Sequence, residues 1–197
     1  MIVLGLTGGM AAGKTTVAQL FARAGWPVFD ADAEVHRLQA RDGAAVPAIA
    51  ARWPAAVHDG MVDRVALRRA VIGQPGETRA LEAIVHPLIR AARRRFLHRM
   101  RRRRVAGCVL DIPLLFETGA DRDCDVTLVV TAPLPVRLGR IRRRRSLSEA
   151  QARALIARQM DDALRRRRAD HVIRTGLSRF QTRRQVEKLI RTLETRA

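Results

Sequence analysis

The apolar positions fall into short runs and one-faced stripes, separated by glycine-rich or charged turns. Val3, Leu4 and Leu6 form a brief apolar run ending at Thr7-Gly8-Gly9, the pattern of a strand buried on both faces of a parallel sheet. After Lys14, the residues Val17, Leu20, Phe21 and Ala24 recur at i, i+3, i+4 and i+7, which is one face of an amphipathic helix. Gly25 stands where a helix C-cap belongs, and Pro27-Val28-Phe29-Asp30 reads as a second strand. Strand, glycine turn, helix and strand make a βαβ unit, which closes right-handed.

Residues 33–104 are helical in texture and contain no convincing strand. Leu81, Ile84, Val85, Leu88 and Ile89 carry an apolar face through this stretch. Pro87 predicts that one helix ends near Val85 and another begins at Pro87, because proline lacks the N–H and crowds the preceding turn. Val105–Leu110 is a third strand closing on Asp111, and Val126–Val130 a fourth, followed by Thr131-Ala132-Pro133. Ser148-Glu149-Ala150-Gln151 is a capping box that starts a helix running to about Leu164. Val172-Ile173 is a short fifth strand. A second capping box, Ser178 to Gln181, precedes a helix with Val186, Leu189, Ile190 and Leu193 on one face. The pattern is α/β and doubly wound, with helical insertions after the second and fourth strands.

Composition narrows the class. A chain of 197 residues suits one domain with room for a small inserted subdomain, and 47% hydrophobic content excludes a disordered one. No apolar run reaches the ~20 residues that cross a bilayer. Met1–Gly9 lacks a basic, then apolar, leader pattern, and Cys108 and Cys124 have no paired metal-binding spacing. A cytoplasmic protein without a membrane partner is expected. The net charge of +19 attracts polyanions, either nucleic acid or phosphorylated metabolites. The arginine clusters 93–95, 101–104, 142–145 and 165–168 read mainly as solvated helix faces. With no Tyr, two Trp and five Phe, the chain offers few platforms for base stacking. A basic nucleic-acid-binding protein is permitted but not favoured, and no specific nucleic-acid partner is expected.

Among 38 basic residues only Lys14 and Lys188 are lysine. Lys14 lies in Gly8-Gly9-Met10-Ala11-Ala12-Gly13-Lys14-Thr15, which fits G-x-x-x-x-G-K-[ST] between a strand and a helix. Here the glycines let backbone N–H groups converge on phosphate oxygens at a helix N-terminus. Lys14 brings a compact ammonium to the β- and γ-phosphates, a role a planar guanidinium does not fill in the same space. The Thr15 hydroxyl is a magnesium ligand in this motif. ATP and Mg2+ follow as cofactors, with Gly9, Ala11, Ala12, Gly13, Lys14, Thr15 and Thr16 around the nucleotide. The fold class is therefore P-loop NTPase-type, a three-layer α/β/α arrangement with a mostly parallel five-stranded sheet. No Asn-Lys-x-Asp stretch is present to read guanine, and the arginine-rich segment after the fourth strand favours a small-molecule kinase over a switch.

Taken together the motifs resemble the dephospho-CoA kinase family. Gly5-Leu6-Thr7-Gly8-Gly9 through Gly13-Lys14-Thr15-Thr16 carries the likeness, with Asp30-Ala31-Asp32, Asp59-Gly60, Asp63-Arg64 and Leu67. So do Leu81-Glu82, His86-Pro87-Leu88-Ile89-Arg90 and Asp111-Ile112-Pro113-Leu114-Leu115-Phe116-Glu117. Late matches are Thr131-Ala132-Pro133, Arg137, Arg140, Arg144, Gln159 and Ala169-Asp170. The resemblance implies transfer of the ATP γ-phosphoryl group to the ribose 3′-hydroxyl of dephospho-CoA. It implies Asp32 as the base, with Lys14 and Arg140 catalytic and Arg144 on the phosphates. Thr7, Asp32, His86, Arg90 and Leu115 would meet the acceptor, and Asp111 would join Thr15 near the metal. It further implies a core of 1–32, 105–133 and 169–197, a helical substrate-binding subdomain of about 33–104 and a lid of about 134–168. A monomer or weak homo-oligomer is expected. Asp30 or Asp32 should cap the following helix, and Asp30 is the better placed.

Two departures stand out. The family usually has Gly-Ser where this chain has Ala11-Ala12, which matters if either position needs a positive φ. It commonly has Asn where this chain has Thr175, which bears on how adenine is seated. The alternative is another small-molecule P-loop kinase, acting on a nucleoside or nucleotide.

Overall fold

The structure is a computed structural model that describes residues 1–145, 147–157 and 159–195, the side chains of residues 144 and 145 excepted. Two compact units form, one from Met1–Phe29 with Met100–Ala197, the other from Asp30–Arg99. In chain order the elements are β1 (Ile2–Gly8), α1 (Lys14–Arg23), β2 (Val28–Asp30), α2 (Ala31–Gln39), α3 (Val46–Arg52), β3 (Val57–His58) and β4 (Met61–Val62). Then follow α4 (Arg64–Val71), α5 (Pro75–Arg102), β5 (Gly107–Asp111), β6 (Val126–Thr131) and α6 (Leu134–Arg145). The chain ends with α7 (Glu149–Ala157), α8 (Asp162–Arg168), β7 (His171–Arg174) and α9 (Arg179–Glu194).

The main sheet has the strand order β2-β5-β1-β6-β7, with β1 parallel to both β5 and β6 and β6 parallel to β7. Leu6 sits opposite Asp111 on one side and Leu128 on the other, so the centre of the sheet is aliphatic while a carboxylate ends β5. One core cluster packs Val17 and Phe21 of α1 and Val186, Leu189, Ile190 and Leu193 of α9 against Leu4, Leu6, Leu128 and Val130. Trp26 closes this cluster and donates its indole N–H to Glu194 at 3.1 Å. Two strand starts are pinned by aspartates. Asp125 accepts from Val3 N at 2.8 Å, and Asp170 accepts from both Thr127 N and Thr127 Oγ1, at 2.8 and 2.7 Å. The Thr127 hydrogen bonds hold the Asp170 carboxyl below its ordinary pKa, since they favour the charged form.

The other unit has its own core of Leu38, Val46, Ile49, Trp53, Val62, Leu67 and Val71, against which Leu81, Ile84, Leu88 and Ile89 of α5 lean. Glu77 ties it at the edge, accepting from Trp53 Nε1 at 2.9 Å and from Arg52 at 2.7 Å. Asp63 caps α4 by accepting from Val65 N and Ala66 N.

Three expectations are corrected. The stretch 33–104 does hold strands: β3 and β4 pair antiparallel across Asp59-Gly60, whose φ values of 48° and 72° are those a tight hairpin turn requires. Pro87 does not divide α5. It lies exposed inside one continuous helix, where a single N–H is lost and solvent meets the freed carbonyl. The helix begun at Ser148 stops at Ala157, because Asp161 accepts from Ala163 N and Leu164 N and so starts α8 afresh. The capping box at Ser178 and Gln181 and the Asp30 cap on Ala33 N form as expected. No described helix is long and apolar enough to cross a membrane.

Gly107 carries a packing requirement that no turn explains: a Cβ there would lie 2.4 Å from the Trp26 ring. Gly107→Ala is expected to cost about 1–3 kcal/mol through this overpacking. Gly76→Ala, with open space around the added Cβ, should be neutral or stabilise by up to about 1 kcal/mol. Urea unfolding of the two variants decides; equal midpoints would refute the Trp26 contact.

Candidate active site

The loop from Gly8 to Thr15 leaves the carboxyl end of β1 and turns into α1, so its amides gather at a helix N-terminus. Gly13 is the N-cap with φ 98°, and no side chain among the described residues caps the helix, which leaves the first-turn N–H groups to a ligand. Ala11 has φ 58°, the left-handed region that alanine visits only at a cost. The Gly-to-Ala departure therefore falls on the one position of the pair where it matters; Ala12 is fully buried with ordinary φ.

Cations converge on this loop and each is held by an oxygen of the protein. Lys14 Nζ donates to Asp111 Oδ1 at 2.5 Å, with both side chains largely shielded from water. Arg137 Nε donates to Met10 O at 2.9 Å. Arg140 Nη1 donates to Ala11 O at 3.0 Å and to Thr175 Oγ1 at 3.1 Å, and its Nη2 to Thr175 O at 2.6 Å. Thr175 in turn donates its hydroxyl to Ala12 O. The Thr that replaces the expected Asn is thus committed to bracing the loop from behind. Burial pulls the Arg137 pKa down, Asp162 opposes that pull, and the nearby Arg165 adds to it.

The other expected residues divide clearly. Thr15 is exposed in the first turn of α1, and Thr16 lines a recess of about 160 Å³ with Ala11, Gly13, Arg140, Thr175 and Arg179. Gly9 takes a guanidinium against its bare α-carbon: a Cβ there would lie 2.6 Å from Arg137 Nη2 and 3.2 Å from Arg165 Nη1. Thr7 is fully buried and donates to Pro113 O at 2.8 Å. Leu115 is fully buried, while its neighbour Leu114 is 51% exposed. The side chain of Arg144 falls outside the described residues.

In the unit formed by residues 30–99, Asp32 is exposed in the first turn of α2, with no hydrogen-bond or ion-pair partner among the described residues. His86 is half-buried and Arg90 exposed, one turn apart on the same face of α5 and well inside that helix rather than at its start.

Arg137, which meets Met10 O, and two further residues have no site role assigned from sequence. Gln159 accepts from Met10 N at 2.7 Å, occupying a loop amide from a segment 149 positions away. Arg165 is 2% exposed, while Arg166, Arg167 and Arg168 beside it face solvent. Gln159 lies among the family-like residues, so its position was marked without its role. Arg165 sits in a run of identical residues, where nothing distinguishes a buried member from its neighbours. A cavity of about 820 Å³ is lined in part by Arg137, Gln159 and Asp162.

A family model for dephospho-CoA kinase matches residues 2–178. The dephospho-CoA kinase of Gluconobacter oxydans is 57% identical over 197 residues, covering 98% of each chain. A crystal structure of a Thermus thermophilus protein superposes with a TM-score of 0.83 at 35% identity, covering 98% of this chain and 97% of that one. The dephospho-CoA kinase of Campylobacter jejuni superposes with a TM-score of 0.67 at 21% identity, over 97% and 96% of the two chains, and shares the fold.

The loop geometry predicts opposite signs for two adjacent substitutions. Ala11→Gly relieves a left-handed alanine worth about 1 kcal/mol and should hold or raise the melting temperature. Ala12→Gly relieves nothing and should destabilise by up to about 1 kcal/mol. Thermal unfolding of both is the check, and a parallel fall would show that the φ at Ala11 carries no strain.

Proposed function

The chain therefore belongs to the dephospho-CoA kinase family and phosphorylates dephospho-CoA at the expense of ATP in coenzyme A synthesis, and we propose the following division of that reaction among its residues. The observation that carries the proposal is the loop with uncapped first-turn amides, around which Lys14, Arg137 and Arg140 are already gathered. ATP enters with its β- and γ-phosphates on the uncapped first-turn amides of α1 and on the Lys14 ammonium. The recess beside Gly13 and Thr16 takes the nucleoside.

Thr15 and Asp111 would hold Mg2+. No group of three or more His, Cys, Asp or Glu that could cage a metal occurs among the described residues. Magnesium bound through a nucleotide needs no such cage, only a hydroxyl or carboxylate beside the phosphates, with water completing the shell, and this donor set fits. When bound, the ion neutralises charge on the β- and γ-phosphates.

Asp32 is the base. Asp30 has taken the capping role on Ala33 N, which leaves the Asp32 carboxylate uncommitted in the first turn of α2. The ribose 3′-hydroxyl oxygen forms the new P–O bond as the bond from the γ-phosphorus to the β,γ-bridging oxygen breaks. The electron pair of the broken bond leaves with ADP, and the hydroxyl proton passes to Asp32. Arg140 and Arg144 act on the charge that spreads over the phosphoryl oxygens. His86 and Arg90 contact dephospho-CoA from their shared face of α5. Thr7 and Leu115 contribute from beneath the surface, by holding the segment from Pro113 to Phe116 in place.

Asp32→Asn keeps the shape and removes the base, so kcat for dephospho-CoA in an assay coupled to ADP release should fall by about 10²-fold or more. Binding of Mg·ATP by calorimetry should be unchanged, since the loop is intact. Wild-type turnover in the variant would remove Asp32 from the chemistry, while failure of the wild type to use dephospho-CoA would remove the acceptor assignment.

A further inference from the structure

Arg165 is a buried charge whose close partners among the described residues are few. It is 2% exposed and projects from α8 toward the opening end of the phosphate loop, with Nη1 3.2 Å from where a Cβ on Gly9 would stand. Its counter-ions stand back. Glu117 Oε1 is 3.7 Å from Nη2 and Asp162 Oδ1 is 3.8 Å from Nη1, both beyond hydrogen-bonding distance, and Arg165 Nε is buried with no hydrogen-bond partner among the described residues. Asp162 Oδ1 is likewise buried without a hydrogen bond among the described residues, while its other oxygen accepts from Thr131 Oγ1 at 2.7 Å. Arg137, 5% exposed, lies against the same face of Gly9 and has its own Nη1 4.0 Å from Asp162.

Two guanidiniums side by side in a shielded place repel each other, and an unsatisfied buried N–H costs free energy comparable to a lost hydrogen bond. A purely structural arginine would close its bonds on the carboxylates beside it. Asp162 and Glu117 instead restrain the pair at long range and leave hydrogen-bond donors unspent. Gly9 keeps that space open, since any side chain there would displace both guanidiniums. An anion with several oxygens, arriving at the loop, is the partner that completes this arrangement. A planar fork is suited to two such oxygens at once.

We propose that Arg165, flanked by Arg137, is a catalytic residue of the phosphoryl transfer, donating to the non-bridging oxygens of the γ-phosphoryl group as it moves. This rests on the assignment of the loop to ATP made above. Arg165 changes no bond. It meets charge that grows on those oxygens while the bond to the bridging oxygen lengthens, and its restraint by Asp162 and Glu117 removes the need to order it during the reaction. ADP, which lacks the γ-phosphoryl group, forgoes the contact.

The test compares Arg165→Met, Arg165→Gln and Arg165→Lys with the wild type, reading kcat with dephospho-CoA and the calorimetric affinity for Mg·ADP. Both neutral variants should lose at least about 10²-fold in kcat, in the range seen for arginines that meet a transferring phosphoryl group. Their Mg·ADP affinity should stay within about twofold of the wild type. Arg165→Lys, which keeps the cation, should recover to within about tenfold of the wild-type kcat. Arg165→Gln keeps hydrogen-bonding capacity, so it carries the comparison if Arg165→Met does not fold. A neutral variant with near-wild-type kcat overturns the proposal. So does a loss of Mg·ADP affinity that parallels the loss of kcat, which marks a residue that merely props the loop. Wild-type turnover in the same assay reports separately on the ATP and acceptor assignments.

Discussion

The open amides at a helix N-terminus hold a triphosphate more strongly when the cations around them are in place before the anion arrives. Several like charges close together repel, so each needs a holder that can later share it. In this chain the holders are oxygens of the protein. Asp111 holds Lys14, the carbonyls of Met10, Ala11 and Thr175 hold Arg137 and Arg140, and Asp162 and Glu117 restrain Arg165 from a distance. The arrangement depends on the sheet, because β1 delivers the loop and β5 delivers Asp111 from adjacent parallel strands in fixed register. Slipping that register by one residue would turn Asp111 to the other face of the sheet and leave Lys14 without its partner.

The backbone of the loop meets a second constraint that its sequence satisfies imperfectly. Ala11 holds a left-handed conformation that glycine would adopt freely. Compensation comes from outside the loop: Arg140 donates to Ala11 O, Thr175 donates to Ala12 O, and Gln159 accepts from Met10 N. Consecutive residues of the loop are thus gripped from α6, from the end of β7 and from the segment after α7. Strain of about 1 kcal/mol persists at functional sites when the surroundings over-determine the conformation, and these three external bonds, with a fourth from Arg137 Nε to Met10 O, do so here. The Thr at 175 belongs to this bracing, which gives the departure from Asn a physical role.

Much of this was legible beforehand, for identifiable reasons. The phosphate loop, the Asp30 cap and the Ser178 capping box are local patterns whose chemistry lies within a few residues, so sequence and structure agree on them. The hairpin of β3 and β4 escaped because two-residue strands carry no periodicity, although Asp59-Gly60 is a turn pair that could have marked it. Pro87 misled because the rule against proline inside helices weighs a lost bond and a clash, and α5 offsets both with contacts along Leu81, Ile84, Leu88 and Ile89. The start of α8 was hidden behind an apolar continuation, and the Asp161 cap marks it. The bracing of the loop was illegible in principle. It is made by side chains more than a hundred positions away, and no local pattern records such a meeting.

Arginine content shows the same division between what can and cannot be read along the chain. The +19 charge is dominated by exposed guanidiniums. Several are paired within one helix, as Arg37 with Glu34, Arg153 with Glu149 and Arg183 with Glu187, at about 0.3–0.5 kcal/mol each. These set solubility and long-range attraction for anions and leave the fold almost untouched. Arg137 and Arg165 are chemically identical to them and energetically different, because shielding from water strengthens every interaction they make and every one they lack. Burial, not residue type, separates a solvated arginine from one that shapes the site. In a chain that uses arginine almost everywhere, position in the fold decides which of them does chemistry.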